Sequence, residues 1–304
     1  MNIPHKKEFL VDAYGRTIKS LRISITDRCN LNCIYCHNEG SKCSSGEMSV
    51  ETISNIVHIA ADFGVNSLKI TGGEPLLRGD LEEMLASFPP LKDVSLTTNG
   101  VLLRDRAHSL KAAGLNRVNI SLDSLNEENY RRITKSGNGI FRKVINGIYA
   151  AVDVGLTPVK INMVLLKDVN ECEIEDMLSF TRQFHGKVIL QLIQLMDFKD
   201  SSRYDVDINK IERELEFKAE FVKLRELHKR KKYYINGVEV ELVRPVDNTE
   251  FCANCNRLRV TADGKLRPCL LVSNNLVDVS HASLEEMPDL FRLAIKSRVP
   301  FYRK

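Results

Sequence analysis

The chain has 304 residues, 43% hydrophobic and 28% charged, enough for one large core or for a core domain with an extension. Its 44 basic and 40 acidic residues leave a net charge of +4, too small on this length to argue for a nucleic-acid partner, though suited to an anionic small molecule. No stretch is apolar for long enough to span a membrane, and the opening "MNIPHKKEFLVDAYGR" lacks a signal-peptide core; a soluble cytoplasmic protein is expected, whose eight cysteines serve metal or catalysis sooner than disulfides.

In chain order, "LRISIT" (21–26), "SLKIT" (67–71), "VSLTT" (94–98), "VNIS" (118–121), "VKINMVL" (159–165) and "VILQLIQL" (188–195) are short, apolar and β-branched, and read as strands buried on both faces. Between them, "SVETISNIVHIAADFG", "LRDRAHSLKAAG" and "ECEIEDMLSFTRQF" repeat apolar residues at three- and four-residue spacing with Ser or Gly at capping positions, and read as helices. Six such units in series imply an α/β fold: a parallel sheet with right-handed crossovers, short of a complete eightfold barrel and so an open sheet or a partial (β/α)6 barrel. After about residue 197 the alternation stops. "KAEFVKLRELHKRKKYYINGVEVELVRP" (218–245) reads as irregular or hairpin structure with a turn at Asn236-Gly237, and its basic run from His228 to Lys232 as a solvated helix end. The expected division is a barrel over 1–198 and a C-terminal extension over 199–304.

The cysteines fall into two distant triplets: Cys29, Cys33 and Cys36 in "TDRCNLNCIYCHNEG", and Cys252, Cys255 and Cys269 in "FCANCNRLRVTADGKLRPCL". Cys43 and Cys172 read as small apolar side chains without a role. The first triplet follows the first strand, and "TGGEP" (71–75), "TTNG" (97–100) and "SLDS" (121–124) end the next three. All four therefore converge at the carboxyl ends of the strands, where parallel α/β folds bind ligands. A structural zinc site closes with four ligands, and none completes this triplet at the usual short spacing, although His37 and Cys43 are nearby. Three thiolates also suit a [4Fe–4S] cluster with one iron left open to a small molecule.

Cys-x3-Cys-x2-Cys followed by Gly-Gly-Glu-Pro resembles the radical S-adenosylmethionine (SAM) superfamily. There the open iron chelates SAM, the cluster donates one electron to the sulfonium, and a 5′-deoxyadenosyl radical abstracts hydrogen from substrate. The second triplet allows another open-iron cluster. Arg257 and Arg259 within it are two residues apart, on one face of an extended segment, and suit a phosphate-bearing substrate. Together "LRISITDRCNLNCIYC", "ITGGEPLLR" and "FCANCNRLRVTADGKL" resemble the GTP 3′,8-cyclase family of molybdenum-cofactor biosynthesis, over about residues 21–270. The resemblance implies conversion of GTP to (8S)-3′,8-cyclo-7,8-dihydroguanosine 5′-triphosphate, with two [4Fe–4S] clusters and SAM as cofactors.

By position, the resemblance implies that Cys29, Cys33 and Cys36 hold the SAM cluster, and Cys252, Cys255 and Cys269 a second cluster whose free iron contacts the guanine. It places Tyr35, Gly73, Ser121 and Met196 on SAM. Arg22, Lys69, Thr97, Lys160, Arg257, Leu258 and Arg259 fall on GTP, and the Glu74 side chain hydrogen-bonds the SAM amino group. Lys69 and Lys160, inside apolar strand-like runs, also read independently as ligand-facing, because an unpaired buried charge is costly. Tyr35 and Met196 could equally be packing, and Gly73 part of a tight turn. A flavodoxin- or ferredoxin-like electron donor and transfer of product to the next pathway enzyme are the implied partners.

Two departures stand out. Bacterial relatives carry Arg and Glu where this chain has Gln191 and Gln194, so one cationic contact is missing. They also end in Gly-Gly, whereas this chain ends "RVPFYRK", where Arg303 and its neighbours would have to substitute. Competing readings are a twin-cluster enzyme acting on a peptide, a non-catalytic iron–sulfur nucleotide sensor, and a zinc module. No G-x-x-x-x-G-K-[ST] or H-E-x-x-H segment supports P-loop hydrolysis or zinc proteolysis.

Overall fold

The computed structural model describes residues 8–37, 46–196, 202–246 and 248–302, so Cys43, Arg303 and most of the expected 198–202 boundary lie outside the described residues. Six parallel strands run in sequence order through the sheet: β1 (Ser20–Ser24), β2 (Ser67–Thr71), β3 (Asp93–Thr98), β4 (Arg117–Ser121), β5 (Val159–Val164) and β6 (Val188–Ile193). Helices α1 (Val50–Asp62), α2 (Leu81–Ala86), α3 (Leu103–Ala112), α4 (Glu127–Thr134), α5 (Ile140–Asp153) and α6 (Ile174–Arg182) make the crossovers. In α1, Ser49 caps the amide of Thr52, and Ile53, Ile56, Val57 and Ala60 form the buried stripe that the sequence spacing requires. Gly64 ends that crossover at φ +84°, backbone that costs a glycine little.

The later chain extends the same sheet at both ends. After α7 (Ile208–Lys218), strands β7 (Phe221–Leu224), β8 (Lys231–Ile235) and β9 (Val238–Val243) form an antiparallel ribbon, and β9 lies parallel against β6. Asn236 and Gly237, both at positive φ, make the expected tight turn between β8 and β9. The chain then crosses through α8 (Thr249–Ala253), and β10 (Arg257–Val260) lies parallel to β1, with β11 (Lys265–Arg267) and β12 (Val277–Asp278) beyond it. Helix α9 (Met287–Lys296) packs over this edge, its Phe291 stacked on Phe63. The result is a 12-stranded sheet curled into a partial barrel. Its ends meet through the loop after β7: the His228 amide donates to the Asn254 carbonyl (3.2 Å), and the His228 ring stacks on Phe251.

The strands differ from the sequence expectation on one face. Their outer residues, such as Leu68, Ile70, Val118, Ile120 and Ile161, pack under the helices in one large core. The alternate residues, such as Arg22, Lys69, Thr97, Lys160 and Gln191, point into the barrel and line a cavity. The strands are therefore apolar on one face and polar on the other, which their period-two alternation permits. The basic run is also corrected. His228 is buried and the Arg230 guanidinium is held 3.3 Å from Glu241, while Lys231 and Lys232 lie in β8 paired with Glu216 and Glu239; carboxylates elsewhere in the fold make this burial affordable.

Candidate active site

The first cysteine triplet sits where the sequence places it, and the loops around it are laced by hydrogen bonds. The Gly73 amide donates to the Thr26 carbonyl and the Glu74 amide to the Arg28 carbonyl, both at 2.7 Å. A Cβ on Gly73 would lie 2.2 Å from the Arg28 carbonyl oxygen, so this approach is open only to glycine. The Glu74 carboxylate is fully buried and accepts from the Leu76 amide, the Thr98 hydroxyl and the Asn99 amide. Its side chain thus ties the second and third strand ends together, and a carboxylate's roughly four acceptor sites are not exhausted by these three donors. Asn99 Nδ2 reaches across to Asn30 Oδ1 at 2.7 Å, beside Cys29. Between the cysteines, Ile34 and Tyr35 pack on a small separate core of Ile133, Leu166, Val169 and Leu195.

Tyr35 donates its hydroxyl to Asp123 Oδ2 at 2.6 Å, and the Val164 amide donates to the other oxygen. Burial pushes the Asp123 carboxyl up to about 6, and burial followed by the Asp123 charge pushes the Cys33 thiol above its usual range. Ser121 ends β4 beside Asn162 of β5, and Met196 lies on the cavity wall just past β6. Cys172 is exposed on the turn before α6.

Strand register places the second triplet at the opposite end. Because Ser20 of β1 aligns with Arg257, Cys252 and Cys255 fall at the amino ends of β10 and β1, and Cys269 returns there after the antiparallel β11. All three line the cavity. The Cys252 sulfur accepts from the amides of Tyr302 and Phe301, so the tail reaches this end of the cavity, where Val299, Pro300 and Phe301 form part of its wall. The Arg16 guanidinium donates to the Cys252 carbonyl at 2.8 Å; Arg298, almost fully buried and paired with Asp12, donates to the Cys255 and Pro268 carbonyls. Burial would raise the Cys255 thiol, but Arg298, Arg257 and Arg259 outweigh it and hold it below the usual thiol range.

A cavity of about 340 Å³ runs from the second triplet, whose three cysteines line it, to Met196 past β6 and His37, the residue after Cys36. Arg22, Lys69, Thr97, Lys160, Arg257 and Arg259 all line it, as the sequence reading expects. Leu258 does not; its side chain lies on the other face of β10, in the hydrophobic core. Lys69 is driven well below its ordinary value by burial and then by Arg117, Arg257, Arg22 and Lys160, all of its own sign. Lys160 is lowered to about 8 by burial, which Glu241 opposes from 2.5 Å. Sequence reasoning missed Arg117, Arg225, Arg230, Arg298 and Glu241. Arg117 in "RVNIS" and Glu241 in "VEVELV" were detectable by the argument applied to Lys69, a charge inside an alternating strand; Arg225, Arg230 and Arg298 carried no such signal.

The donor sets fit iron–sulfur clusters. Each triplet offers three thiols with amide hydrogens on sulfur, including the Leu31 amide 3.5 Å from Cys29 Sγ and the Arg257 amide on Cys255. None of the seven described cysteines is in a disulfide, so the thiols of both triplets remain available as ligands. No helix among the described residues is long and apolar enough to cross a membrane.

Comparison with known proteins agrees. Residues 23–181 match the Radical SAM superfamily and residues 188–300 match Molybdenum Cofactor Synthesis C. Among solved structures, Streptococcus suis SuiB bound to S-adenosylmethionine superposes with a TM-score of 0.66 at 17% identity, over 93% of this chain and 67% of that one. Native anSMEcpe with bound AdoMet gives 0.62 at 19% identity, over 88% and 79%. These two share the fold. The partial barrel, the cysteine loop and the family match define a radical SAM enzyme that uses SAM and iron–sulfur chemistry. A "Probable GTP 3′,8-cyclase" of Methanosarcina mazei is 59% identical over 98% of this chain and 91% of its own length, and one of Archaeoglobus fulgidus is 45% identical over 97% and 99%. The chain belongs to the GTP 3′,8-cyclase family.

Proposed function

We propose that this protein cyclises GTP, joining the ribose C3′ to C8 of guanine as the first step of molybdenum-cofactor biosynthesis in the cytoplasm. The observation that carries the reading is the cavity's charge: ten Lys and Arg side chains line it against one acid, Asp93, with Asp12 and Glu241 paired to them from behind the wall. Such an excess calls for a polyanion, and a nucleoside triphosphate supplies it. The cationic walls give no reason to prefer a peptide.

In this reading Cys29, Cys33 and Cys36 hold one [4Fe–4S] cluster and Cys252, Cys255 and Cys269 a second, each with one iron lacking a protein ligand. When bound, the first cluster and SAM supply a hydrogen-abstracting 5′-deoxyadenosyl radical. Tyr35, Gly73, Ser121 and Met196 position SAM, with the Glu74 carboxylate accepting from the SAM amino group. Arg22, Lys69, Lys160, Arg257 and Arg259 bind the triphosphate and Thr97 orients the nucleotide; any contact from Leu258 falls to its main chain. The stretch after residue 198 thereby completes the substrate site of the barrel before it. An electron donor of the flavodoxin or ferredoxin type and hand-over of product to the next enzyme complete the proposal.

Anaerobic incubation of the reconstituted protein with GTP, SAM and dithionite tests it. The expected products are the 3′,8-cyclised nucleotide and 5′-deoxyadenosine, with iron and sulfide near eight per chain, as two four-iron clusters require. SAM cleavage without a nucleotide product rejects the cyclase; absence of 5′-deoxyadenosine favours a sensor, and four irons per chain rejects the second cluster.

A further inference from the structure

Behind the cavity wall formed by β5, β6 and β9 lies a charge cluster of which the roles above use only Lys160. Glu241 on β9 is fully buried. Its carboxylate meets Lys160 Nζ at 2.5 Å, Gln191 Nε2 at 2.5 Å, Arg225 Nη1 at 3.2 Å and Arg230 Nη1 at 3.3 Å. The register explains the convergence: Glu241 stands beside Gln191 on the neighbouring strand, and Gln191 beside Asn162 of β5, whose chain also carries Lys160 two residues earlier. Arg225 and Arg230 arrive from the loop between β7 and β8, closed on itself by the Arg225 amide donating to the Arg230 carbonyl at 2.8 Å.

Lys160, Arg225 and Arg230 share this carboxylate, with Lys232 at 3.9 Å but paired with Glu239 at 2.6 Å, leaving two positive charges in surplus. A cluster that served only to pin the ribbon to β6 would be expected to balance, because a charge withdrawn from water without a partner is costly. Both arginines face the cavity. Arg230 Nε is buried without a hydrogen-bond partner, a donor left over after Glu241 has been served. Glu241 itself sits on a strand and holds the guanidinium groups before any ligand arrives, so less side-chain freedom is lost on binding.

We propose that Arg225 and Arg230 are further phosphate-binding residues of this cavity and that Glu241 is the residue that positions them. The inference rests on the reading that a nucleoside triphosphate occupies the cavity. Each guanidinium spends one donor on Glu241 and directs others at phosphate oxygens, so the β7–β8 loop belongs to the substrate site as well as to the edge of the sheet.

The test uses the full chain, cluster-loaded and with SAM present. Equilibrium binding of GTP, guanosine and inorganic tripolyphosphate is compared in wild type, Arg225→Gln and Arg230→Gln. Each substitution is expected to weaken GTP and tripolyphosphate by about tenfold or more and to leave guanosine within about twofold. Equal weakening of guanosine and GTP, or unchanged tripolyphosphate affinity, overturns the inference. Arg225→Lys, at the more exposed of the two positions, retains a charge but not the planar fork; it is expected to lose tripolyphosphate affinity with unaltered thermal unfolding, and wild-type affinity in this variant also counts against a phosphate role. Failure of the wild type itself to bind GTP more tightly than guanosine would instead strike the triphosphate reading.

Discussion

Around Cys33 the charged neighbours are Asp123 and the other thiols of its triplet, whereas around Cys255 they are Arg298, Arg257 and Arg259. The first triplet stands on loops at the carboxyl ends of the strands, laced together through Glu74, Asn99 and Asp123; the second stands at the amino ends, its carbonyls gripped by Arg16 and Arg298. Two loops with the same donor count thus sit in fields of opposite sign. An acidic neighbourhood suits a sulfonium-bearing cofactor and a basic one suits a polyphosphate, so the surroundings, more than the thiols, divide the work.

The strongest way to break this comparison is to remove one set of thiols at a time. Replacing Cys29, Cys33 or Cys36 by Ala is expected to abolish 5′-deoxyadenosine formation. Replacing Cys252, Cys255 or Cys269 is expected to spare some uncoupled SAM cleavage while stopping nucleotide turnover. Chromatography of both products reads the outcome, and equal loss of both activities in a folded C-terminal variant would show the two sites to be inseparable.

A narrower cut falls on backbone alone. Gly73→Ala puts a methyl carbon 2.2 Å from the Arg28 carbonyl, and backbone cannot yield there without moving the cysteine loop. Iron per chain should fall from about eight towards about four, with the second cluster's electron paramagnetic resonance signal retained. A full complement of iron in this variant would mean that the lacing does not shape the first site.

How far the sequence foretold this arrangement differs between the two ends. "SLKIT" and "VKINMVL" identify strands because propensity and period agree locally, and the order of strand, loop and helix then places Cys29, Gly73, Thr97 and Ser121 at one mouth. The amino-end site had no such guide. That Arg257 lies beside Ser20, and Glu241 beside Gln191, depends on pairings between residues far apart in the chain, which no local pattern specifies. The run from His228 to Lys232 misleads for the same reason: its burial rests on Glu241 and on Phe251, neither of which the run itself reveals.

Smaller effects sharpen the comparison. Arg257→Ala or Arg259→Ala should weaken GTP about ten- to a hundredfold, roughly the 1.5–3 kcal/mol of a charge-assisted contact, while SAM affinity stays within about twofold. Titration calorimetry on cluster-loaded protein separates the two ligands. Unaltered GTP affinity in both variants would leave the basic end without a substrate.

The mildest probe leaves every atom in place and changes only pH. Lys160 is lowered from 10.5 to about 8, by burial first, with Glu241 opposing and Arg225 and Arg230 adding to the fall. In free protein the ammonium therefore loses its proton as pH rises through about 8. A bound polyanion favours the charged form and raises that value, so the contribution of Lys160 to GTP affinity is constant below about pH 7 and falls above about 8, by at most about tenfold per pH unit. The terminal phosphate, with its own second ionisation near roughly 6, is already charged across this range. Lys69, which burial also lowers, titrates in the same direction and stays in place as an internal background. Lys160→Arg keeps a cation that does not titrate here, so the difference between wild-type and variant Kd profiles from pH 7 to 9.5 isolates the contribution of Lys160. Parallel profiles would place the ammonium outside the phosphate's reach, held by Glu241 alone.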